Sequence, residues 1–134
     1  MKNIESQIQK AAVEQIEHLF RLKYSDYTLL LKDSKKRVVQ SSPLFAVPNG
    51  GNRNIVTATN MKKEGAKSGV ADLILPIANR CYQQLWIEVK SPDGKQSYNQ
   101  GEWQDFCIKA DIRYVVCYST QEIVDLVLEY MGDL

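Results

Sequence analysis

Residues 85–90 restrict the fold of this chain more than any other segment. They alternate aliphatic residues with aromatic or charged ones, in the order Leu85, Trp86, Ile87, Glu88, Val89 and Lys90. Because the side chains of a β-strand point alternately to the two faces of a sheet, one face of this strand is apolar. The pattern therefore predicts a strand that displays the Glu88 carboxylate and the Lys90 ammonium group together on its other face.

A second strand is predicted just before this one. Residues 71–75 are apolar except for Asp72, and Pro76 ends the run. The link to residues 85–90 is short enough for the two strands to pair in antiparallel fashion. If they pair, Asp72 approaches Glu88.

Asp72 and Glu88 would then form a pair of neighbouring carboxylates. Such groups repel each other unless a proton or a cation lies between them. A divalent cation such as Mg²⁺ suits oxygen ligands of this kind and keeps waters for a substrate. Lys90 beside the cation would orient or deprotonate an attacking water and stabilise phosphate charge. The alternative interpretation is a salt bridge among these three residues at the edge of a sheet.

An amphipathic helix is predicted over residues 4–23. Apolar residues recur there at helical spacing, at Ile4, Ile8, Ala12, Ile16 and Leu19. Glu5 falls within the same arc, and a carboxylate in an apolar stripe is costly without a partner. It would pair with a lysine, join Asp72 and Glu88 as a third acidic ligand, or lie in the first turn because the helix dipole favours negative charge there.

The remaining segments complete an α/β pattern. Further strands and helices are predicted, in chain order, at residues 44–47, 97–110, 113–118 and from Ser119 or Thr120 onward. Residues 27–31 fit either a strand or a continuation of the first helix, and the assignment of residues 55–63 to a helix is ambiguous. The order predicts an α/β sandwich around a small mixed central sheet flanked by helices, as one domain over residues 1–134. The side chains expected on the inner helix faces are Trp103, Phe106, Cys107, Ile123, Val124, Val127 and Leu128.

Scarce residue types exclude several kinds of site. Cys81, Cys107 and Cys117 are odd in number and form no CxxC pair, so we expect reduced core thiols in a cytosolic protein. His18 is the only histidine, which argues against a histidine-rich zinc site and a Ser/His/Asp triad. No apolar run approaches the ~20 residues that a membrane span needs. Neither a P-loop nor a GxGxxG motif occurs, so no nucleotide cofactor is expected.

Charge is divided unevenly along the chain. Residues 1–67 carry 12 lysines and arginines against 6 acidic residues, a balance of +6, whereas residues 68–134 carry 5 against 10, a balance of −5. The basic half can bind an anionic partner such as nucleic acid; the alternative is that these charges lie on a surface that contacts only solvent. Candidate phosphate-binding residues are Lys32, Lys35, Lys36, Arg37, Arg53, Lys62, Lys63 and Lys67. The turn at residues 49–51 would also bring backbone N–H groups close to a phosphate.

The order of these features resembles one family, the VRR-NUC domains of the PD-(D/E)XK nuclease superfamily. The resemblance covers nearly the whole chain. The matching pieces are Glu5, residues 48–51 with Arg53, residues 65–72, residues 87–90, and residues 97–100 followed by Trp103. Two departures are Ala71, where relatives usually have proline, and a basic stretch at residues 24–40 that is longer than in compact relatives and would serve as a substrate or dimer element.

The resemblance implies a restriction-endonuclease-like fold and phosphodiester cleavage with Mg²⁺ or Mn²⁺. It assigns metal binding to the carboxylates of Asp72 and Glu88 and to the carbonyl of Val89. It also implies that Lys90 positions the nucleophilic water. Glu5 would complete the acidic cluster, and Gln100 would hold the site from its helix.

Free-standing members of this family resemble bacterial and phage proteins that act as homodimers on branched DNA such as four-way (Holliday) junctions. We therefore expect a metal-dependent DNA endonuclease, located in the cytoplasm of a bacterium or of a phage-infected cell. One alternative is a nuclease fold that binds branched DNA without cutting it. The other is a small metabolic or structural α/β domain whose charges form salt bridges.

Overall fold

A computed structural model describes residues 3–48 and 55–134 of the chain. The helices and strands, in chain order, are α1 (Asn3–Lys23), a short 3₁₀ helix (Ser25–Tyr27), β1 (Leu29–Lys32), β2 (Val38–Ser41), β3 (Phe45–Ala46), α2 (Ile55–Lys63), β4 (Leu73–Leu75), β5 (Gln84–Val89), α3 (Tyr98–Lys109), β6 (Ile112–Cys117) and α4 (Thr120–Met131). Over the residues described, none of these helices is long and apolar enough to cross a membrane.

The central sheet is small and mixed, as the sequence predicts. Its strands lie in the order β3-β4-β5-β6. The pairing of β4 with β5 is antiparallel and sets Leu73 opposite Ile87, whereas β5 and β6 run parallel. This register places the residue before β4, Asp72, beside the end of β5, where Glu88 and Val89 lie.

Helices cover both faces of this sheet. On one face, a core of aliphatic residues from β4 and β5 packs against α1 and α4, and its fully buried members include Ala12, Ile16, Phe20, Leu73, Ile87, Ile123 and Val127. On the other face, Ile74 and Trp86 pack against Cys107 of α3. The predicted α/β sandwich is confirmed.

The stretch at residues 24–40 forms a separate β-hairpin. Among the described residues, β1 and β2 pair only with each other. Leu29, Leu30 and Leu31 therefore lie in a strand and do not extend the first helix, whereas Tyr27 ends the short 3₁₀ helix. Asp33 shapes the connecting turn, because its Oδ1 accepts hydrogen bonds from the N–H groups of Lys35 and Arg37 at 2.9 Å. The hairpin also exposes apolar side chains, among which Leu30 is 75% exposed.

Two expectations about buried side chains are wrong. Phe106 is 49% exposed, because it lies at the edge of the inner face of α3 and packs edge-on against Trp103 with ring centroids 5.9 Å apart. Cys81 is exposed, because it lies in the link between β4 and β5 and not on a face of the sheet. The other two cysteines are buried, and burial raises the pKa of Cys107 and of Cys117 to about 11, so both are protonated thiols.

Gly69 lies where the segment that leads into β4 meets the first turn of α3. Its φ is +85°, and a Cβ added there would lie 2.7 Å from the Cβ of Asn99 and 2.8 Å from its carbonyl carbon. Next to it, the indole Nε1 of Trp103 donates a hydrogen bond to the carbonyl of Ser68 at 3.0 Å. The approach to Asp72 is therefore fixed on α3 by a contact that requires glycine.

Replacing Gly69 by alanine is expected to lower the free energy of unfolding by roughly 3 kcal/mol, since backbone strain and overpacking add. Gly65 offers a matched control: its φ is also positive, at +105°, but a Cβ there meets nothing within 4 Å. Gly65→Ala should cost roughly 1 kcal/mol. Urea unfolding of both variants measures the difference, and equal losses would contradict the importance of the contact with α3.

Candidate active site

Asp72 is held against the backbone of β5. Its N–H donates to the carbonyl of Ile87 at 3.1 Å, and its Oδ2 accepts a hydrogen bond from the N–H of Val89 at 2.7 Å. The first bond continues the backbone pairing of β4 with β5 by one residue, and the second is made by the side chain. Strand register therefore fixes the Asp72 carboxylate at the end of β5, next to Glu88.

Glu88 is a buried carboxylate with two unequal oxygens. Its side chain has no exposed surface. Its Oε1 accepts hydrogen bonds from the hydroxyl of Tyr114 and, at 3.3 Å, from Nε2 of Gln96. Its Oε2 is buried and receives no hydrogen bond. Because a buried charge is costly unless it is fully paired, the missing hydrogen bond at Oε2 lowers the free energy of unfolding.

Lys90 lies near the same oxygen without bonding to it. Its Nζ is 3.9 Å from Oε2 of Glu88, which is within reach of an ion pair but too far for a hydrogen bond. The lysine side chain is 14% exposed, so it lies at the border between the buried carboxylate and solvent. The salt-bridge interpretation accounts for this proximity, but it leaves Oε2 without a donor.

Glu5 reaches the site from the first turn of α1. Its Oε2 accepts a hydrogen bond from the N–H of Ser91 at 3.1 Å, and Ser91 directly follows Lys90 in the chain. The carboxylate in the apolar stripe thus bonds to a backbone amide. This bond attaches the start of α1 to the segment that carries Lys90.

Negative charge is concentrated around Asp72. Burial raises the pKa of this carboxyl group, and the hydrogen bond from the Val89 N–H acts in the opposite direction. The carboxylates of Glu88 and Glu5 also raise the pKa of Asp72, whereas Lys90 lowers it. The negative charges acting on Asp72 therefore outnumber the single positive charge of Lys90, which favours a bound cation.

The donor set fits a hard divalent cation. Among residues 3–48 and 55–134, no three acidic, histidine or cysteine side chains come close enough to enclose a metal ion. The available ligands are then the carboxylates of Asp72 and Glu88, with the Val89 carbonyl that the resemblance implies. Mg²⁺ and Mn²⁺ prefer oxygen ligands of this kind, and Mg²⁺ usually keeps several waters. The Oε2 of Glu88 has no hydrogen-bond donor, and such a cation would be its partner.

Gln100 lines the groove beside Asp72 and Lys90, but its amide group is used in the cap of α3. Its Oε1 accepts from the N–H of Ser97 at 2.8 Å, while Oγ of Ser97 accepts from the Gln100 N–H at 3.2 Å. This reciprocal pair is a capping box. The side chain that reaches Glu88 from this part of the chain is Gln96.

Sequence reasoning missed both hydrogen-bond donors to Glu88. Tyr114 pairs with Trp86 in the parallel register of β5 and β6, and from there its hydroxyl reaches Glu88. One signal was present, since a tyrosine in a half-buried strand of aromatic and β-branched residues usually finds a partner for its hydroxyl group. Gln96 gave no comparable signal, because only the folded connection before α3 brings it to the carboxylate.

Two of the predicted phosphate-binding residues line the groove next to the carboxylates. This groove is formed by α2, residues 66–70 and the start of α3, and Lys62 and Lys67 line it together with Asp72 and Lys90. Two lysines thus lie on the same surface as the candidate catalytic residues Asp72 and Lys90.

The other predicted phosphate-binding residues are placed differently. Lys63 is exposed on α2. Arg53 and the turn at residues 49–51 lie outside the described residues. The β1–β2 hairpin and its turn contain the four others, Lys32, Lys35, Lys36 and Arg37.

The hairpin is anchored away from the carboxylates. Nη1 of Arg21 donates to the carbonyl of Gln40 at 3.4 Å, so β2 contacts the C-terminal end of α1. Glu5 is at the opposite end of that helix, about 24 Å from Arg21 at 1.5 Å per residue. The structure therefore does not bring the base of the hairpin to the acidic cluster.

Comparisons with known proteins cover almost the whole chain. The sequence model of the VRR-NUC domain matches residues 3–121. A solved structure described as a VRR-NUC domain protein superposes with a TM-score of 0.67 at 21% sequence identity, over 96% of this chain and 88% of that chain. No curated protein sequence matches. At this identity, the solved structure shows a shared fold.

Proposed function

The chain belongs to the VRR-NUC domain family, and from this premise we propose that it is a DNA endonuclease that depends on Mg²⁺ or Mn²⁺. The observation that carries the proposal is the state of Glu88, which is fully buried and has one oxygen without a donor, beside Asp72 and Lys90. A carboxylate that only stabilised the fold would be expected to have both oxygens satisfied. A carboxylate that binds a cation through its second oxygen accounts for the arrangement.

Each residue of the site has a separate role in this proposal. Asp72 and Glu88, with the Val89 carbonyl, would hold the cation, which when bound polarises the scissile phosphate and acidifies a water molecule. Lys90 orients the attacking water and offsets the negative charge that develops on the phosphate. Glu5 holds the segment after Lys90 through its hydrogen bond to Ser91.

The groove supplies a path for the DNA backbone. Lys62 and Lys67 line it on the side of α2 and of the segment before β4. Lysines bind phosphates as point charges and do not read base sequence, so this surface suits a nuclease that recognises DNA shape.

Replacing both groove lysines, as Lys62→Ala/Lys67→Ala, is expected to weaken binding of a four-way junction and to reduce the slope of log K against log salt by about 2. Each lysine that neutralises a phosphate contributes about one unit to that slope. The control Lys10→Ala/Lys109→Ala removes the same charge from two other exposed positions. Fluorescence anisotropy over a salt series measures both, and an equal fall in the control would contradict the role of the groove.

The proposal extends to branched DNA and a homodimer. Two active sites related by a two-fold axis match a four-way junction, which has two-fold symmetry itself. The apolar surface of the β1–β2 hairpin supports a protein contact, because exposed apolar patches frequently mark such surfaces.

Cleavage of four labelled substrates tests the proposed function. A four-way junction, a flap, a plain duplex and a single strand are incubated with the protein in Mg²⁺, in Mn²⁺ and in EDTA. We expect cutting that requires metal and is fastest on the junction. Tight junction binding without cutting would favour the non-cleaving binding module. If the protein neither binds nor cuts any of these substrates, the salt-bridge interpretation is favoured instead.

A further inference from the structure

The carboxylate of Glu88 is held at one oxygen by two donors from different parts of the fold. Tyr114 comes from β6, and Gln96 comes from the connection before α3. Both donate to Oε1, whereas Oε2 has no hydrogen bond. Two convergent donors on one oxygen restrict rotation of the carboxylate about its terminal bond, so the direction of the other oxygen is also fixed.

The amide of Gln96 is itself oriented by α3. Its Nε2 also donates to Oε1 of Gln104 at 3.0 Å. An amide nitrogen carries two hydrogens, so both are used, one on Gln104 and one on Glu88. The bond to Gln104 therefore fixes the orientation of the Gln96 amide, so that its other hydrogen points to the carboxylate of Glu88.

The position of Tyr114 is fixed by packing. Its ring lies against the cluster of Trp86 and Cys107 between the sheet and α3. A phenol has one hydrogen to donate, and here it is donated to Oε1 of Glu88. The aromatic packing therefore fixes the position of the hydroxyl group, and the hydroxyl group in turn fixes the position of Oε1 of Glu88.

We infer that Tyr114 and Gln96 are positioning residues for a divalent cation: they hold Glu88 by Oε1 and so leave Oε2 directed for the ion. This inference rests on the proposed metal dependence of the site. Groups that orient a metal ligand raise affinity because the ligand loses less freedom when the ion binds. Neither residue needs to touch the ion or the DNA for this effect.

Mn²⁺ binding to the DNA-free protein, measured by isothermal titration calorimetry, tests the inference without relying on cleavage. Tyr114→Phe keeps the ring and removes the hydroxyl, and we expect its Kd for Mn²⁺ to rise about tenfold. Tyr130→Phe is the matched control, because the Tyr130 hydroxyl donates to the carbonyl of Ile77 at 2.6 Å in the core on the other side of the sheet. It also loses one buried hydroxyl, and its Mn²⁺ affinity should equal that of the wild type.

Gln96→Leu is the second variant, at an exposed position. Its Kd for Mn²⁺ should rise at least threefold, which is less than the tenfold or more typical of such residues, because the bond from Gln96 to Oε1 of Glu88 is long, at 3.3 Å. If the wild type binds Mn²⁺ and both variants bind within twofold of it, the positioning role is overturned and the proposed function stands. An equal loss in Tyr130→Phe would also overturn it, as an effect of general destabilisation. A wild-type protein that binds no Mn²⁺ would overturn both the inference and the proposed metal dependence.

Discussion

Replacing Glu88 by glutamine is expected to reduce DNA cleavage by about 100-fold or more, while the metal-free protein becomes as stable as the wild type or more stable. The two side chains have nearly the same shape, and the glutamine oxygen can still accept the bonds from Tyr114 and Gln96. What the substitution removes is a fully buried negative charge whose Oε2 has no donor. Loss of that charge removes a metal ligand and a source of instability together.

A fall in cleavage without a fall in stability separates a metal ligand from a structural ion pair. Melting temperatures in EDTA measure stability, and cleavage in Mn²⁺ measures activity. Glu129→Gln is the control, because Glu129 is 63% exposed and pairs with Arg113 at 2.7 Å. That variant should cleave normally. A large fall in the stability of Glu88→Gln with cleavage intact would contradict the account.

Replacing Lys90 by alanine is expected to reduce cleavage by about 100-fold, which is typical of a residue that orients or activates a nucleophile. Binding of Mn²⁺ should be unchanged or tighter, because a positive charge 3.9 Å from Oε2 of Glu88 is removed. The variant therefore separates metal binding from chemistry. Cleavage rates at saturating Mn²⁺, together with the calorimetric Kd, measure the two effects.

Lys95→Ala is the matched control for this variant. Lys95 is exposed in the same connection between β5 and α3, so its loss changes the net charge equally. We expect its cleavage rate to stay within twofold of the wild type. A fall of less than tenfold in Lys90→Ala would exclude the assigned role, and a similar fall in both variants would indicate a general effect of charge.

The elements that carry the site could be predicted because their patterns are local. Alternation along residues 85–90 and the proline after residues 71–75 were enough to predict β5, β4 and their antiparallel pairing. The arrangement of Asp72 and Glu88 follows directly from that pairing. The cap formed by Ser97 and Gln100 was not predicted, although the two residues are close together in sequence.

The features that could not be predicted depend on which distant segments meet. The donors to Glu88 come from β6 and from the connection before α3, and no periodicity reports that β6 lies parallel to β5. Phe106 has an apolar side chain at helical spacing from Trp103, yet it lies at the rim of the packed face. Leu29, Leu30 and Leu31 are apolar but lie in a hairpin that leaves them exposed. Hydrophobicity alone therefore left both a strand and a helix open for residues 27–31.

The most direct test of the central claim is cleavage of one labelled four-way junction by the wild type, Glu88→Gln and Lys90→Ala, purified identically and assayed in Mn²⁺ with and without excess EDTA. The account predicts that the wild type cuts only while Mn²⁺ is free, that Glu88→Gln does not cut because it has lost a metal ligand, and that Lys90→Ala is strongly impaired although it binds the metal. Cutting by all three proteins at similar rates, or by none in either metal, would contradict the assignment of these residues to a nuclease site.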